Sequence, residues 1–320
     1  MGNHQHLEAI GPSAGNLQEL AKGVYAWIQP DGSWWINNAG LISDGGSSFI
    51  VDTCATAERT QRFLDAAERA CPDAPIRYAL NTHEHGDHTY GNILLPAAAE
   101  LIGHPVMVEH LAQDFVIDGC PPIWEPVPHW GVSARRLPDS TVASSGQRDV
   151  GDIRVEIMHP GYAAHTQGDL VAWLPEAEVL FSGDLLFHGL TPLVFAGSIT
   201  GARRALQWIA EMEPLIVVPG HGPLVSRENL SSVLAEHEEY FSLVQATAER
   251  GLSDGLSVLQ AADACALGRF ADWADQERLV LNLHRAYADS LGTQLDVLTA
   301  FSDAMTFNGG ALTTHVCCAD

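Results

Sequence analysis

The chain has 320 residues, 46% of them hydrophobic, and carries 40 acidic against 16 basic side chains, a formal net charge of −24. This composition suits one large apolar core with a smaller accessory core. The acidity argues against a nucleic-acid substrate, because a phosphate polyanion would be repelled and the basic residues are dispersed. No apolar run reaches the length of a bilayer span, and the first residues lack a basic-then-apolar signal segment, so we expect a cytoplasmic protein without membrane attachment.

The first part of the chain predicts short strands and two helices. Alternating or continuous apolar runs bounded by turn residues predict strands over residues 24–29, 35–42, 48–51 and 76–80. Residues 57–70 have helical periodicity, and Cys71-Pro72 ends that helix. A second helix is predicted from Val106 to about Ile117. The segment 118–140 is rich in proline and tryptophan and cannot be a helix; it either covers a site as a lid or packs as surface.

The second part changes from strands to helices. Strands are predicted over residues 140–158, 169–174 and 178–182, and a helix over residues 202–212. From Ser226 the pattern is helical in about four segments. The sequence therefore predicts two domains, residues 1–225 and a helical region of residues 226–320 packed on the first.

A dense cluster of histidines follows the strand 76–80. The segment 82–88 reads Thr-His-Glu-His-Gly-Asp-His. His83 and His85, two apart on an extended backbone, can project to one side, whereas Asp87 and His88 can begin a helix. Neutral imidazoles and carboxylates are the ligands that zinc takes. Such a pattern arises by chance in roughly one similar sequence in a few hundred, so a solvated histidine-rich loop is the weaker alternative.

Three further candidate ligands follow in similar settings. His165 lies in a loop of small residues before a strand, Asp184 ends an apolar strand, and His221 lies between glycines after a third strand. Each is placed where an apolar strand gives way to a flexible turn. An α/β scaffold presents its functional groups at such places.

In this order, the motif and the three later residues resemble the metallo-β-lactamase superfamily, over roughly residues 20–225. The resemblance implies an α/β fold, the αβ/βα sandwich of that superfamily, here with a helical C-terminal extension. It also implies a metal-dependent enzyme whose catalytic domain is residues 1–225. Asp52, which closes the strand 48–51, matches the acidic residue that braces the metal loop in that superfamily. Asp184 stands where several true β-lactamases carry a cysteine, which disfavours β-lactam hydrolysis.

The resemblance assigns seven residues to two zinc ions, with iron or manganese as alternatives. One metal would be held by His83, His85 and His165, the second by Asp87, His88 and His221, and Asp184 would bridge them. A hydroxide shared between two cations is a nucleophile near neutral pH, and Asp87 is placed to accept a proton from the attacking water. A persulfide dioxygenase, with one iron held by two histidines and one aspartate, is a minor alternative.

The substrate is predicted from a weaker resemblance. The segments 195–198, 220–223 and 279–288 are similar to the second-ring cyclase/thioesterases of bacterial aromatic polyketide pathways, of the actinorhodin type. The hypothesis is an enzyme acting on a small-molecule or carrier-bound acyl substrate. The alternatives are a thioester or lactone hydrolase, similar to hydroxyacylglutathione hydrolase or a quorum-quenching lactonase, and a non-catalytic metal-binding protein. The oligomeric state stays open.

Aromatic side chains are available for an apolar cleft, although ordinary packing is expected for most of them. The candidates are Trp34, Trp35, Trp124, Trp130, Phe187 and Phe195. Tyr90 and His188 lie near the predicted ligands in sequence. Either can donate a hydrogen bond to an oxyanion, but we expect a structural role for both. The six cysteines show neither paired spacings nor a secretory context and are expected to be reduced.

Overall fold

Two β-sheets face each other in the computed structural model, which describes residues 15–29 and 31–317. The strands are β1 (Asn16–Ala21), β2 (Val24–Ile28), β3 (Ala39–Asp44), β4 (Ser47–Val51), β5 (Ile76–Leu80), β6 (Glu100–Gly103), β7 (Trp124–Glu125), β8 (Ser140–Thr141), β9 (Ser145–Val150), β10 (Ile153–Met158), β11 (Val171–Leu174), β12 (Val179–Phe187), β13 (Ile216–His221), β14 (Val225–Ser226) and β15 (Leu312–Thr313). The α-helices are α1 (Ala57–Ala70), α2 (Gly86–Thr89), α3 (Pro105–Gln113), α4 (Ile199–Glu211), α5 (Arg227–Ser253), α6 (Val258–Asp263), α7 (Arg278–Leu291) and α8 (Val297–Asn308).

The larger sheet has the strand order β1-β2-β3-β4-β5-β6-β8, and the second has the order β14-β13-β12-β11-β10-β9. Each combines antiparallel pairs with parallel ones: β4, β5 and β6 run parallel in the first sheet, and β12 and β13 in the second. The carboxyl ends of parallel neighbours lie at one edge of a sheet, where loops can bring functional groups together. This topology therefore places the segments after β5 and β13 where a site can form.

Side chains that alternate along a strand pack against the other sheet on one face and against helices on the opposite face. On β4, Phe49 and Val51 contact the second sheet, whereas Ile50 packs with Phe63 of α1 on the outer side. Side chains of α4 and α5 cover the outer face of the second sheet, and α7 and α8 belong to the same apolar cluster. Successive side chains of a strand point to opposite faces of its sheet. Apolar residues occupy both kinds of position here, so both faces of each sheet are apolar and both are covered. This arrangement confirms the predicted αβ/βα sandwich.

The region after Ser226 is helical, as predicted, and consists of α5 to α8 with a short 3₁₀ helix, Gly268–Asp272. Leu279 and Leu283 of α7 share an apolar cluster with Leu180 of β12 and Val217 of β13. The helical extension and the sandwich are thus joined by one continuous core. The division into domains at residues 225 and 226 stays a prediction.

Several element boundaries differ from the predictions, those of β3 and α3 among them. Strand β3 begins at Ala39 rather than residue 35, because Trp35 has a φ of +70° and Asn38 turns away to donate to the carbonyls of Pro219 and Gly222. Helix α3 ends at Gln113 rather than at about residue 117. The difference at β3 has the tertiary contacts of Asn38 as its cause. At α3 the cause is local and polar, since the Asp114 side chain accepts from the Val116 backbone nitrogen at 2.8 Å.

Some sequence predictions fall on residues 1–14, 30 or 318–320. The signal-segment argument concerns the first residues, and one of the six cysteines is Cys318; both lie outside the described residues. Among the helices of residues 15–29 and 31–317, none combines the length and the apolarity that a membrane crossing needs.

Candidate metal centre

The seven predicted ligands come together where β5, β12 and β13 meet. His83 and His85 follow β5, and α2 carries the next two candidates, Asp87 and His88. The remaining three lie in the loop before β11, within β12 and at the last residue of β13, and they are His165, Asp184 and His221. Six of the seven side chains are buried or nearly so, which makes a dense group of ionisable residues in an apolar interior.

Three histidine nitrogens converge at one point of this group. His83 Nε2 lies 3.1 Å from His85 Nδ1, and His165 Nε2 lies 2.9 Å from the same atom. Asp184 Oδ2 is 3.3 Å from His165 Nε2 and 3.8 Å from His83 Nε2. Tetrahedral ligation at the usual zinc–nitrogen distance separates ligand nitrogens by about 3.4 Å. These four side chains therefore have the chemistry and the spacing to hold one metal ion.

A second group of ligand atoms lies beside the first. His221 Nε2 is 3.2 Å from Asp87 Oδ2, and His88 Nε2 is 3.9 Å from the same oxygen. Asp184 reaches this group as well, with Oδ1 3.2 Å from His88 Nε2 and Oδ2 3.4 Å from His221 Nε2. Asp87, His88 and His221 can hold a second ion, and the carboxylate of Asp184 lies between the two groups.

Two buried atoms of the centre lack hydrogen bonds. His88 Nε2 and Asp184 Oδ1 are close, but their geometry is not that of a hydrogen bond, and neither has such a partner among the described residues. Buried polar atoms are nearly always paired. A cation bound between them would satisfy both, so the residues present fit a metal pair.

Backbone carbonyls fix the outward nitrogens of two ligands. His165 Nδ1 lies 2.6 Å from the carbonyl oxygen of Leu193, and His221 Nδ1 lies 2.9 Å from that of Ile36. Since a carbonyl only accepts, Nδ1 carries a proton in each ring, which leaves Nε2 as the ligand atom that faces the centre. The local fold thus selects the tautomer that a metal ligand requires.

Asp52 positions the histidine loop. It follows β4 with a φ of +60°, a strained conformation for a residue with a side chain. Its carboxylate accepts from the Thr82 backbone nitrogen at 2.7 Å and the Thr82 hydroxyl at 2.8 Å, and lies 2.8 Å from His88 Nδ1. Burial raises the pKa of Asp52, and the neighbouring His88 opposes that rise. These contacts are the ones expected of the brace that the sequence predicted.

Replacing Asp52 by alanine should weaken metal binding by about 10- to 100-fold, because it removes the group that orients His88 and fixes its tautomer. Competition with a chromophoric chelator would measure the affinity of each site. Thermal unfolding of the metal-loaded protein is the folding control, and Asp52→Asn, which keeps the shape, should lie between alanine and wild type. Unchanged affinity in both variants would refute the bracing role.

Two glycines permit the close approach of the strands. A Cβ atom at Gly220 would lie 1.8 Å from Asp184 Oδ1, so only glycine lets β13 pass beside this carboxylate. Gly183 has a φ of +50°, and a Cβ there would lie 2.7 Å from the Thr82 side chain. The strand ends can therefore meet only with these small residues in place.

The charges of the centre suit cation binding. Burial by itself would raise the pKa of Asp184, but the surrounding imidazoles, His221 foremost, hold it well below its usual range. Burial lowers the pKa of His165 to about 4, although Asp184 opposes this, so its ring is neutral at physiological pH. For His221 burial also lowers the pKa, but the attraction of Asp184 and Asp87 outweighs it and raises the pKa to about 9. A cation bound at Nε2 would take the place of the proton that these two carboxylates hold there. Ionised carboxylates thus face inward and favour a cation.

An apolar cavity of about 510 Å³ opens onto this centre. Four predicted ligands contribute to its wall, namely His85, Asp87, Asp184 and His221. Five of the six aromatic candidates also line it, and they are Trp34, Trp35, Trp124, Phe187 and Phe195. Trp130 instead packs on Trp35, with ring centroids 4.7 Å apart. All five also pack in or against the main apolar cluster, as expected, and the structure adds that they line the cavity.

Other predicted residues have structural contacts. The Tyr90 hydroxyl donates to Asp114 at 2.6 Å, and His188 Nδ1 lies 3.0 Å from the carbonyl oxygen of Pro223. The segment 118–140 forms part of the cavity wall through Pro121, Ile123 and Trp124. Helix α8 and Arg278 also line the cavity, from the C-terminal region, and the sequence predicted no role for either. No local pattern distinguishes them from ordinary helical residues.

The sequence model of the metallo-beta-lactamase superfamily matches residues 32–221, which contain all seven candidate ligands. The chain belongs to this superfamily. Among solved structures it is similar to a metallo-beta-lactamase from Pontibacter korlensis, with a TM-score of 0.57 and 17% identity, covering 70% of this chain and 99% of that one. At that identity the likeness shows the fold.

Curated relatives in the superfamily differ in activity. A linear primary-alkylsulfatase of a Pseudomonas species is 23% identical over 244 residues, which are 65% of this chain and 46% of that protein. The hydroxyacylglutathione hydrolase of Rhodospirillum rubrum is 33% identical over 128 residues, 38% of this chain and 39% of that protein. The chain spans about half the length of the curated relatives it matches.

Proposed function

We propose that this superfamily member is a metal-dependent hydrolase-type enzyme for a carbonyl substrate with a large apolar group. The observation that carries the proposal is the direct contact between the apolar cavity and the cluster of seven ligands. A carbonyl at the inner end of the cavity would lie beside Asp87 and Asp184, while the rest of the substrate contacts aromatic rings. Sites of this size and apolar character are typical of small-molecule binding.

Within the proposal, the histidines and aspartates hold two divalent cations, zinc in the first instance, with iron or manganese as alternatives. When bound, such a pair would supply Lewis acidity and would lower the pKa of a water molecule beside it. Asp87 lines the cavity and lies 3.2 Å from His221 Nε2 through Oδ2. Its carboxylate accepts the proton of the attacking water, and the apolar rings keep other water away from the reacting carbonyl.

The finer proposal is an aromatic polyketide cyclase/thioesterase acting on a small-molecule or carrier-bound acyl chain. The aromatic walls support it, since flat polyketide rings stack favourably on such side chains. The cavity also offers no free cationic clamp within the described ranges. Arg278 lines it but is engaged, with Nη2 2.8 Å from Asp275 and Nη1 donating to the Thr191 carbonyl at 3.0 Å.

A thioester or lactone hydrolase of broader range is the second candidate. It is favoured by the 33% identity to the hydroxyacylglutathione hydrolase of Rhodospirillum rubrum over 128 residues. A glutathione thioester carries two carboxylates, however, and these would need basic partners that the cavity does not offer.

Turnover of three substrate classes separates the candidates. We expect hydrolysis or ring closure of N-acetylcysteamine thioesters of aromatic polyketides, and weak turnover of S-lactoylglutathione and of acyl-homoserine lactones. As a matched control, Asp87→Asn should lose turnover but still bind the thioester. Efficient turnover of glutathione thioesters or lactones with none of the polyketide thioester would replace the first candidate by the second.

A further inference from the structure

Helix α8 forms one wall of the cavity, although it lies outside the superfamily region of residues 32–221. It contributes four apolar side chains, Val297, Leu298, Phe301 and Met305, and the polar Ser302. The rest of the apolar wall comes from segments far away along the chain. The helix is therefore a part of the site that the superfamily motifs do not include.

Aromatic rings connect α8 to the metal centre. Phe301 lies edge-on to Phe195, with centroids 5.7 Å apart and an interplanar angle of 78°. Phe195 in turn lies parallel to the ring of His85, with centroids 5.7 Å apart and an angle of 2°. On its other side Phe301 contacts Trp124 at 5.5 Å. The side chain of Phe301 thus sets how much room exists between the helix and the predicted ligand.

The mouth of the cavity is apolar on two sides. Leu298 is 79% exposed and Val297 is 45% exposed at the start of α8, and Phe115, after α3, is 68% exposed. All three line the cavity. Large apolar side chains that are exposed to solvent beside a cavity are typical of a binding surface.

The wall is held in place by polar contacts. His284 Nε2 of α7 lies 2.9 Å from Asp303 Oδ2 of α8, and Asp296 caps the helix by accepting from the Thr299 backbone nitrogen at 3.1 Å. The apolar face of α8 is therefore preformed and available for binding without rearrangement.

From these contacts we propose that α8 is the specificity element of the site. Phe301 sets the depth available to an aromatic or branched acyl group, and Leu298 with Phe115 binds the apolar part that extends beyond the mouth. The substrate class is an ester or thioester whose acyl group is long enough to extend from the metal centre to the mouth of the cavity. This inference rests on the proposed function for the reaction, but the recognition of apolar groups can be measured without turnover.

The first test changes only the exposed rim. Leu298→Ser should lower kcat/KM for p-nitrophenyl decanoate by about tenfold, mainly through KM, because it removes apolar contact that is equal in ground and transition states. The acetate ester, which is too short to reach the rim, should be unaffected. Leu291→Ser is the matched control, since Leu291 is 61% exposed at the end of α7 and does not line the cavity. Equal effects of the two substitutions on the decanoate ester would overturn the role of the rim.

The second test uses binding of ketones that cannot be hydrolysed. Phe301→Leu should improve the affinity for 1-acetylpyrene relative to 2-acetylnaphthalene by about tenfold, measured by calorimetry, because a smaller side chain leaves room for the larger ring system. Phe307→Leu, on the same helix but outside the cavity lining, should leave the ratio unchanged. Metal content and thermal unfolding verify that each variant is folded and loaded.

The two proposals fail in different ways. If the wild-type protein hydrolyses none of the esters while Phe301→Leu still changes the ratio of ketone affinities, the proposed function is wrong and the role of α8 stands. If ester hydrolysis is normal and neither Leu298→Ser nor Phe301→Leu changes size preference, α8 is not the specificity element.

Discussion

Removal of bound metal with dipicolinate is expected to reduce turnover by a factor of about 10³ or more, since Lewis acidity and the bound nucleophile are worth several kcal/mol in the transition state. The protein should also lose thermal stability, because ligands that bind only the folded state stabilise it. Without cations, the ionised Asp184 and its neighbours face each other in a buried space. The measurements are elemental analysis, initial rates and the midpoint of thermal unfolding.

Adding back one metal at a time serves as the control. Zinc should restore both rate and stability at about two ions per chain, and parallel additions of iron and manganese would identify the metal that supports the highest rate. A protein that keeps its full rate after verified removal of all metal would show that the proposed chemistry is wrong.

Replacing Asp184 by alanine is expected to cause a second large loss of bound metal and of activity. Its carboxylate lies within 3.2 to 3.8 Å of nitrogens in both ligand groups, so it offsets the charge of two cations and sets their separation. We expect the variant to hold at most one ion per chain and to lose about 10²- to 10³-fold in kcat/KM, comparable to the loss of one essential charge-stabilising group.

The fold should survive this substitution, because apolar neighbours on β12, such as Leu180 and Leu186, keep the strand in the core. Circular dichroism and thermal unfolding would verify it. Asp139→Ala is the control for loss of a carboxylate, since Asp139 does not line the cavity and pairs with Arg136 at 3.2 Å. Two bound ions and normal turnover in Asp184→Ala would mean that the bridge is assigned to the wrong residue.

Local sequence patterns were sufficient to predict many of the helices and strands. Helix α1 and strand β5 have the predicted bounds, because helical periodicity ends at Cys71-Pro72 and an apolar run ends at the polar motif. Strand β3 was predicted to start too early because the residues before it are apolar and aromatic, as in a strand. Their conformation is decided by Asn38, whose side chain donates to the carbonyls of Pro219 in β13 and of Gly222 just after it, 181 and 184 residues away.

The candidate ligands could be predicted from sequence because four of them lie in one short motif and the other three, His165, Asp184 and His221, follow it in an order that resembles the superfamily. Their convergence required the fold, since His85 and His165 are 80 residues apart and meet at 2.9 Å. The sequence alone therefore indicated the candidate metal ligands and the superfamily, whereas the geometry of two adjacent groups with Asp184 between them is a property of the structure.

The cavity was decided by tertiary structure alone. Trp34 and Phe301 are separated by more than 260 residues, yet their rings lie 6.4 Å apart in the same wall. In the sequence each is one more aromatic residue, because the side of a helix or loop that faces a cavity has the same apolar composition as the side that faces a core. Only the packing of α8 determines which of these side chains line the cavity and which belong to the core. The apolar character of the cavity, and so of the proposed substrate, is therefore visible only in the structure.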